Sequence, residues 1–203
     1  MADRRRLAVL AVPVLVVPAA IALTDGHLAA GPTALVISTL AATLAVSALA
    51  LQPFLAAFGN VRLRWHRLLG TVTFALVLAH VGGLYIVSAE DTLFALSPDG
   101  PTRARMALLA TIALTVVVIL GAGRARLPLS TTTWRVLHAF FAVLVVVLGI
   151  GHAVLTDGAL DGLGTPVLLA SGAAALGGIA YAAIRRAQRP PAPESDDPGS
   201  ALA

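Results

Sequence analysis

Four histidines in this chain form two pairs with identical spacing. His66 and His80 lie 14 residues apart in one apolar stretch, and His138 and His152 lie 14 residues apart in another. In an α-helix, 14 residues advance the chain by roughly 21 Å and return it to within about 40° of the same face. Each pair therefore lies along one face of its helix, at two levels that are well separated across a membrane.

A histidine inside a bilayer is costly and is expected to have a functional partner. If the two helices run parallel, His66 faces His138 and His80 faces His152, which gives two imidazole pairs stacked across the membrane. Imidazole is a good axial ligand for haem iron, and membrane bundles build such sites from facing helices. The spacing favours two b-type haems over one haem, and both over four purely structural histidines.

Small residues lie within one turn of each histidine, where a flat macrocycle needs helix surface without bulk. They are Gly70, Gly83, Ala142 and Gly149. Glycine and alanine also let membrane helices approach closely, so they support the haem interpretation only modestly.

The composition excludes several other kinds of site. Of the 203 residues, 58% are hydrophobic and 12% are charged, with a mean hydropathy of +0.90, which indicates an integral membrane protein. The chain has no cysteine, so disulfides, iron–sulfur clusters, thiolate ligation and covalent c-type haem are excluded. The net charge of +4 comes from dispersed arginines without an aromatic-basic patch, so nucleic acid is not expected as a partner.

Six stretches are long and apolar enough to cross a hydrocarbon core of about 30 Å. We therefore expect an all-α bundle of six transmembrane helices within residues 1–187. The spans are predicted at about 7–23, 33–57, 66–88, 105–122, 134–155 and 164–184. The first could instead be a cleaved secretory signal, because a basic start and an apolar run precede Ala20-Ile21-Ala22. Residues 188–203 are rich in proline, serine and aspartate and are predicted to be a disordered cytoplasmic tail.

The arginines predict the orientation of the bundle. Twelve of the 14 arginines lie on one side of the predicted spans, which by the positive-inside rule is the cytoplasm, and only Arg103 and Arg105 lie outside. Both termini are then cytoplasmic, and the third and fifth spans run parallel, as the level pairing of the histidines requires. The pair His66 and His138 is expected near the cytoplasmic face and the other pair near the outer face.

Haem propionates are anions that arginines near the membrane surface can bind. Arg67 and Arg135 are candidates on the inner side, although the positive-inside rule alone accounts for most arginines there. Arg103 and Arg105 are exceptions to that rule, because they lie on the outer side. Binding of a propionate of the outer haem by one of these two arginines is as well supported as a plain surface position for both. The remaining outer features, His27 and the acidic loop 89–104, are interpreted as solvated.

The order of these motifs resembles the ferric reductase-like transmembrane domain family. The third span opens with HRLLG and has a second histidine 14 residues after the first, and the fifth has W-x-x-x-H and again a histidine 14 residues later. The resemblance covers nearly the whole chain up to about residue 185. It implies His66 and His138 as the axial ligands of an inner haem iron, and His80 and His152 as those of an outer one.

The resemblance implies a di-haem b-type cytochrome of the bacterial plasma membrane. Electrons would pass from a cytoplasmic flavoprotein or a membrane quinol to an outer acceptor, with this chain as the electron-transfer subunit of an oxidoreductase. These residues contain no Gly-rich phosphate loop and no flavin or nicotinamide fold, so FAD or FMN is expected only on a separate partner. The alternatives are a quinol-coupled cytochrome b subunit that anchors a soluble dehydrogenase or reductase, and a haem-free transporter or scaffold.

Overall fold

The computed structural model describes residues 16–24, 28, 30–57, 60–156 and 164–188, and in this part of the chain the protein is all-α. Seven helices are named in chain order. They are α1 (16–23), α2 (Thr33–Ala57), α3 (Asn60–Val87), α4 (Ala89–Leu96), α5 (Thr102–Ala122), α6 (Thr131–Val154) and α7 (Gly164–Ala187).

Five of these helices, α2, α3, α5, α6 and α7, are long and apolar enough to cross a membrane. Large apolar side chains on their outer surfaces are exposed, among them Ile86 at 76% and Val136 at 62%, as expected for contact with lipid. The all-α fold and five of the six predicted spans are thus confirmed by length and composition. The predicted span 7–23 is described only from residue 16, and His27 and nearly all of the predicted tail 188–203 lie outside the described residues.

Three helices begin earlier than hydropathy predicted, α3 at Asn60 instead of 66, α5 at Thr102 instead of 105 and α6 at Thr131 instead of 134. The start of α6 is set by a cap, because the backbone N–H of Thr133 donates to Oγ of Ser130 at 3.0 Å. Hydropathy detects only the apolar part of a helix, whereas backbone hydrogen bonding and capping continue into polar residues.

The segment that was interpreted as an outer loop contains the short helix α4. Its first turn is capped by Ser88, whose Oγ accepts from the backbone N–H of Asp91 at 3.2 Å. Glu90 and Asp91 lie in this first turn, where negative charge is favourable near the helix N-terminus. Glu90 and Asp91 are exposed, as the interpretation as solvated residues expects, but they lie in a helix and not in a loop.

Helix α2 packs against α3 and α7, and α5 packs against α6. Small side chains make these approaches close: Ala45 and Ala48 of α2 are at most 5% exposed. A Cβ on Gly83 of α3 would lie 2.8 Å from Cβ of Ser38 on α2, so this glycine is required by helix packing. For Gly83, the structure thus shows the close approach of two helices, while its role in making room for a macrocycle stays a prediction.

An apolar cluster fills the middle of the bundle. Its buried centre consists of Ala113 and Leu114 of α5 and Val145 of α6, each at most 5% exposed. Phe74 of α3 packs against this centre. In sequence, Phe74 lies between His66 and His80, and Val145 lies between the histidines of α6, so the cluster forms a layer between the two histidine levels.

Candidate functional site

The four histidines of α3 and α6 lie in two pairs. The ring centroids of His66 and His138 are 6.2 Å apart with the ring planes at 65°, and those of His80 and His152 are 6.4 Å apart with the planes at 55°. His66 and His138 come first in α3 and α6, and His80 and His152 come second. Because first pairs with first and second with second, α3 and α6 run in the same direction. The structure places the histidines in the register that their spacing predicted, while their role as ligands stays a prediction.

The backbones of the two histidine-bearing helices are separated by a gap that side chains occupy. Among the described residues, no Cα atom of α3 lies within 8 Å of a Cα atom of α6, although each helix packs on other neighbours. The imidazoles extend across this gap from both sides. Two imidazoles bound to opposite sides of one metal ion, at about 2.0 Å per bond, have ring centres about 6 Å apart. The centroid distances of both histidine pairs agree with this value.

Main-chain carbonyls orient His66 and His152. Nδ1 of His66 lies 3.1 Å from the carbonyl oxygen of Gln52 on α2, and Nδ1 of His152 lies 3.0 Å from that of Arg103 on α5. A carbonyl oxygen only accepts hydrogen bonds, so each Nδ1 must carry the proton. The lone pair is then on Nε2, and none of the four histidines hydrogen-bonds through Nε2 to a described residue. This tautomer presents Nε2 as a metal ligand.

Ser38 provides two hydrogen-bond acceptors for Nδ1 of His80, its hydroxyl and its main-chain carbonyl. Nδ1 of His80 lies 2.9 Å from Oγ of Ser38 and 3.1 Å from its carbonyl oxygen. The Ser38 hydroxyl donates its own hydrogen to the carbonyl of His80 at 2.9 Å, so Oγ is left to accept from Nδ1–H. Ser38 is 0% exposed, and its hydroxyl is therefore shielded from water.

The residues on α2 that support the histidines were missed from the sequence. Ser38 and Gln52 are 14 residues apart, the same spacing as His66 and His80. Because α2 and α3 are consecutive helices that pack side by side in opposite directions, Ser38 lies level with His80 and Gln52 with His66. Only Ser38 acts through its side chain, because the contact of Gln52 with His66 is made by the main-chain carbonyl.

His138 is oriented differently from the other three. Its Nδ1 is buried and has no hydrogen-bond partner among the described residues. The ring instead stacks on Trp134, with centroids 5.1 Å apart and planes at 19°. Trp134 is itself held in place, because Nε1 donates to the carbonyl of Leu120 at 2.8 Å and the guanidinium of Arg124 lies 5.4 Å from the ring centroid. Stacking on Trp134 thus orients the ring of His138, as hydrogen bonds on Nδ1 orient the other three histidines.

The donor set at each level fits haem better than a bare metal ion. In the described part of the chain, no three or more His, Cys, Asp or Glu side chains converge on one point. Two imidazoles alone leave a bare ion such as zinc short of the four ligands that it usually takes. Haem brings its own equatorial nitrogens and needs only axial ligands from the protein, which is what two facing imidazoles supply.

The arginines that were considered for the propionates lie at the surface. The side chains of Arg67, Arg103, Arg105 and Arg135 are exposed. Arg105 donates to Oγ1 of Thr102 at 3.2 Å, whereas the contribution of Arg103 to the histidine level is its main-chain carbonyl. Propionate binding by any of the four stays a prediction.

The comparison with protein families gave one finding that bears on these sites. The family model described as Ferric reductase like transmembrane component matches residues 30–149, which is more than half of the chain. The matched range contains His66, His80 and His138 and ends just before His152. Neither the curated proteins nor the solved structures gave a match.

Proposed function

Because the chain belongs to the ferric reductase-like transmembrane family, we propose that it is a di-haem b-type cytochrome that carries electrons across the membrane. Family membership indicates a membrane electron-transfer component, and the five apolar helices agree with a multi-pass membrane protein. The observation that carries the finer proposal is the presence of two histidine pairs, 6.2 and 6.4 Å between ring centroids, between helices whose Cα atoms stay more than 8 Å apart.

In this proposal, His66 and His138 hold the iron of one haem and His80 and His152 hold the iron of the other. Bound haem would supply a reversible one-electron change at each level. With two imidazoles bound to each iron, the protein would leave no iron position for oxygen or another small ligand. The apolar layer around Phe74 keeps water away from the space between the levels.

The direction of transfer is inferred from the charges. The strong bias of arginines to one side supports a cytoplasmic position for His66 and His138 and an outer position for the other pair. We place electron entry at the cytoplasmic level, from a flavoprotein that carries FAD or FMN or from a quinol, and exit to an acceptor outside the plasma membrane. Arg67 and Arg135 are the proposed propionate partners inside, and Arg103 or Arg105 outside.

The proposal is tested by the absorption spectrum and haem content of the purified protein. We expect a low-spin, six-coordinate b-type spectrum and about two haems per chain in a pyridine haemochrome assay. Alanine at any of the four paired histidines should reduce the haem content to about one per chain. His27→Ala is the matched control, because it removes the histidine without a 14-residue partner and should keep both haems. A protein that lacks a Soret band after expression with sufficient haem would refute the proposal.

The electron donor is tested with the same preparation. Reduction of the haems by a quinol in the absence of any flavoprotein would support the quinol-coupled alternative, in which this chain anchors a soluble subunit. Reduction that requires a flavin reductase and its nicotinamide substrate would support a flavoprotein donor.

A further inference from the structure

We propose that Ser38 is a positioning residue that fixes the proton of His80 on Nδ1 and lowers the reduction potential of the haem held by His80 and His152. The inference rests on the proposed function, since it concerns a haem at that level. Ser38 contacts no iron ligand atom itself and acts only through the imidazole of His80.

The first step is the direction of the hydrogen bonds. Oγ of Ser38 donates to the carbonyl of His80 at 2.9 Å, so its single hydrogen is already used. Nδ1 of His80 lies within hydrogen-bond distance of this Oγ and of the Ser38 carbonyl oxygen, at 2.9 and 3.1 Å. Both atoms must accept, and Nδ1 must donate to both. Nε2 is left with a lone pair that points away from α2.

The second step concerns electron donation. When Nδ1–H of a metal-bound imidazole donates to a good acceptor, negative charge accumulates on the ring and Nε2 becomes a stronger donor to the metal. A stronger donor stabilises ferric iron more than ferrous iron, because the ferric ion carries the higher charge. Hydrogen bonding to the axial ligand is one of the means by which a protein sets the potential of a haem. The Ser38 contacts therefore shift the potential downwards.

The third step is that the two levels differ. The level of His80 and His152 has three acceptors for its two Nδ1 atoms: Oγ and the carbonyl of Ser38, and the carbonyl of Arg103. At the other level, His66 has the carbonyl of Gln52, and Nδ1 of His138 has no partner among the described residues. The hydrogen bonds on Nδ1 would thus lower the potential more at the haem of His80 and His152 than at the other haem.

Ser38→Ala removes the hydroxyl and keeps the main-chain acceptor, so it isolates the contribution of Oγ. Ser47→Ala is the matched control. Ser47 lies on the same helix and is 1% exposed, but its Oγ donates to the carbonyl of Thr43 and contacts no histidine. A purely structural effect of losing a buried hydroxyl from α2 should be common to both variants, whereas an effect on the potential should occur only in Ser38→Ala.

The experiment is a spectroelectrochemical titration of single-haem backgrounds. In His138→Ala, which should retain only the haem of His80 and His152, adding Ser38→Ala should raise the potential. We expect a shift of up to about tenfold in the one-electron equilibrium constant, which is about 59 mV. In His152→Ala, which should retain only the other haem, the same change should leave the potential unaltered. The electron paramagnetic resonance g values of the ferric haem should move only in the first background.

The outcomes separate this inference from the function on which it rests. If the protein binds haem but Ser38→Ala shifts neither haem, shifts both equally, or gives the same shift as Ser47→Ala, Ser38 has only a structural role and the inference is wrong. If the protein binds no haem at all, the proposed function fails and this inference fails with it.

Discussion

The indole of Trp134 stacks almost parallel on the imidazole of His138, at 5.1 Å between centroids and 19° between planes. The two residues are four apart on α6 and therefore lie on the same face of the helix. The hydrogen bond from Nε1 to the carbonyl of Leu120 holds the indole at a fixed position between α5 and α6. The W-x-x-x-H pattern thus has a physical basis, since it orients the paired histidine whose Nδ1 has no hydrogen-bond partner among the described residues.

Trp134→Leu should weaken haem binding at the level of His66 and His138. Loss of the stacked ring leaves His138 free to rotate, and loss of an orienting partner of a metal ligand typically costs about 10- to 100-fold in affinity. Trp134→Phe keeps an aromatic face and should retain most of the binding. The measurement is haem titration into apoprotein, followed by the Soret absorbance.

Trp65→Leu is the control for this prediction, because Trp65 is adjacent to His66 but is 58% exposed. It should leave both haem affinities unchanged. Equal loss of haem in Trp65→Leu and Trp134→Leu would indicate a general effect of removing an interfacial tryptophan and would contradict the orienting role.

Gly83→Ala should destabilise the bundle, and Gly82→Ala should not. A Cβ at Gly83 would lie 2.8 Å from Cβ of Ser38 and 3.1 Å from the carbonyl oxygen of Ala34, whereas a Cβ at Gly82 would meet nothing within 4 Å. Overpacking of this kind costs about 1 to 3 kcal/mol. Thermal unfolding in detergent should show a lower Tm for Gly83→Ala alone. If both variants unfolded at the same temperature, the close contact between α2 and α3 would not contribute to stability.

The level pairing of the histidines could be predicted from the sequence because it depends on only two things. These are helix periodicity and the single span between the two histidine-bearing spans, which makes them run parallel. The partners of their Nδ1 atoms could not. Gln52 and Arg103 act through main-chain carbonyls, which every residue has and which leave no signature in the side chains. Ser38 acts through its hydroxyl, but a lone serine in an apolar helix usually bonds to its own helix, as Ser47 does.

Phe74→Leu should keep both haems and slow electron transfer between them. Phe74 packs against the buried centre formed by Ala113, Leu114 and Val145, in the layer that separates the two histidine levels. A smaller, non-aromatic side chain leaves this layer less completely filled, while no iron ligand or its hydrogen-bond partner is altered. Stopped-flow reduction should show an unchanged first phase and a slower second phase.

Phe140→Leu is the matched control for this change, because Phe140 lies on α6 between His138 and His152 in sequence but is 56% exposed. It should leave both phases unchanged. An unaltered second phase in Phe74→Leu would show that Phe74 serves only the packing of the bundle.

His80→Ala should reproduce the effect of His152→Ala, and His66→Ala that of His138→Ala. The ring centroids within each pair are 6.2 and 6.4 Å apart, so removal of either partner leaves the same iron with one protein ligand. In both His80→Ala and His152→Ala, the remaining haem should still be reduced from the cytoplasmic side. Electron transfer to a membrane-impermeant outer acceptor should be lost.

The other two variants should interrupt the path at its beginning, because His66 and His138 hold the haem proposed to receive electrons from the cytoplasmic donor. In His66→Ala and His138→Ala, the haem of the outer level should therefore be present in the spectrum but should no longer be reduced from inside in sealed vesicles. Chemical reduction with dithionite should still reduce it, which separates a broken path from a damaged site. If His80→Ala behaved like His138→Ala in haem content and kinetics, the level pairing across α3 and α6 would be wrong, and the assignment of inner and outer sites would fail with it.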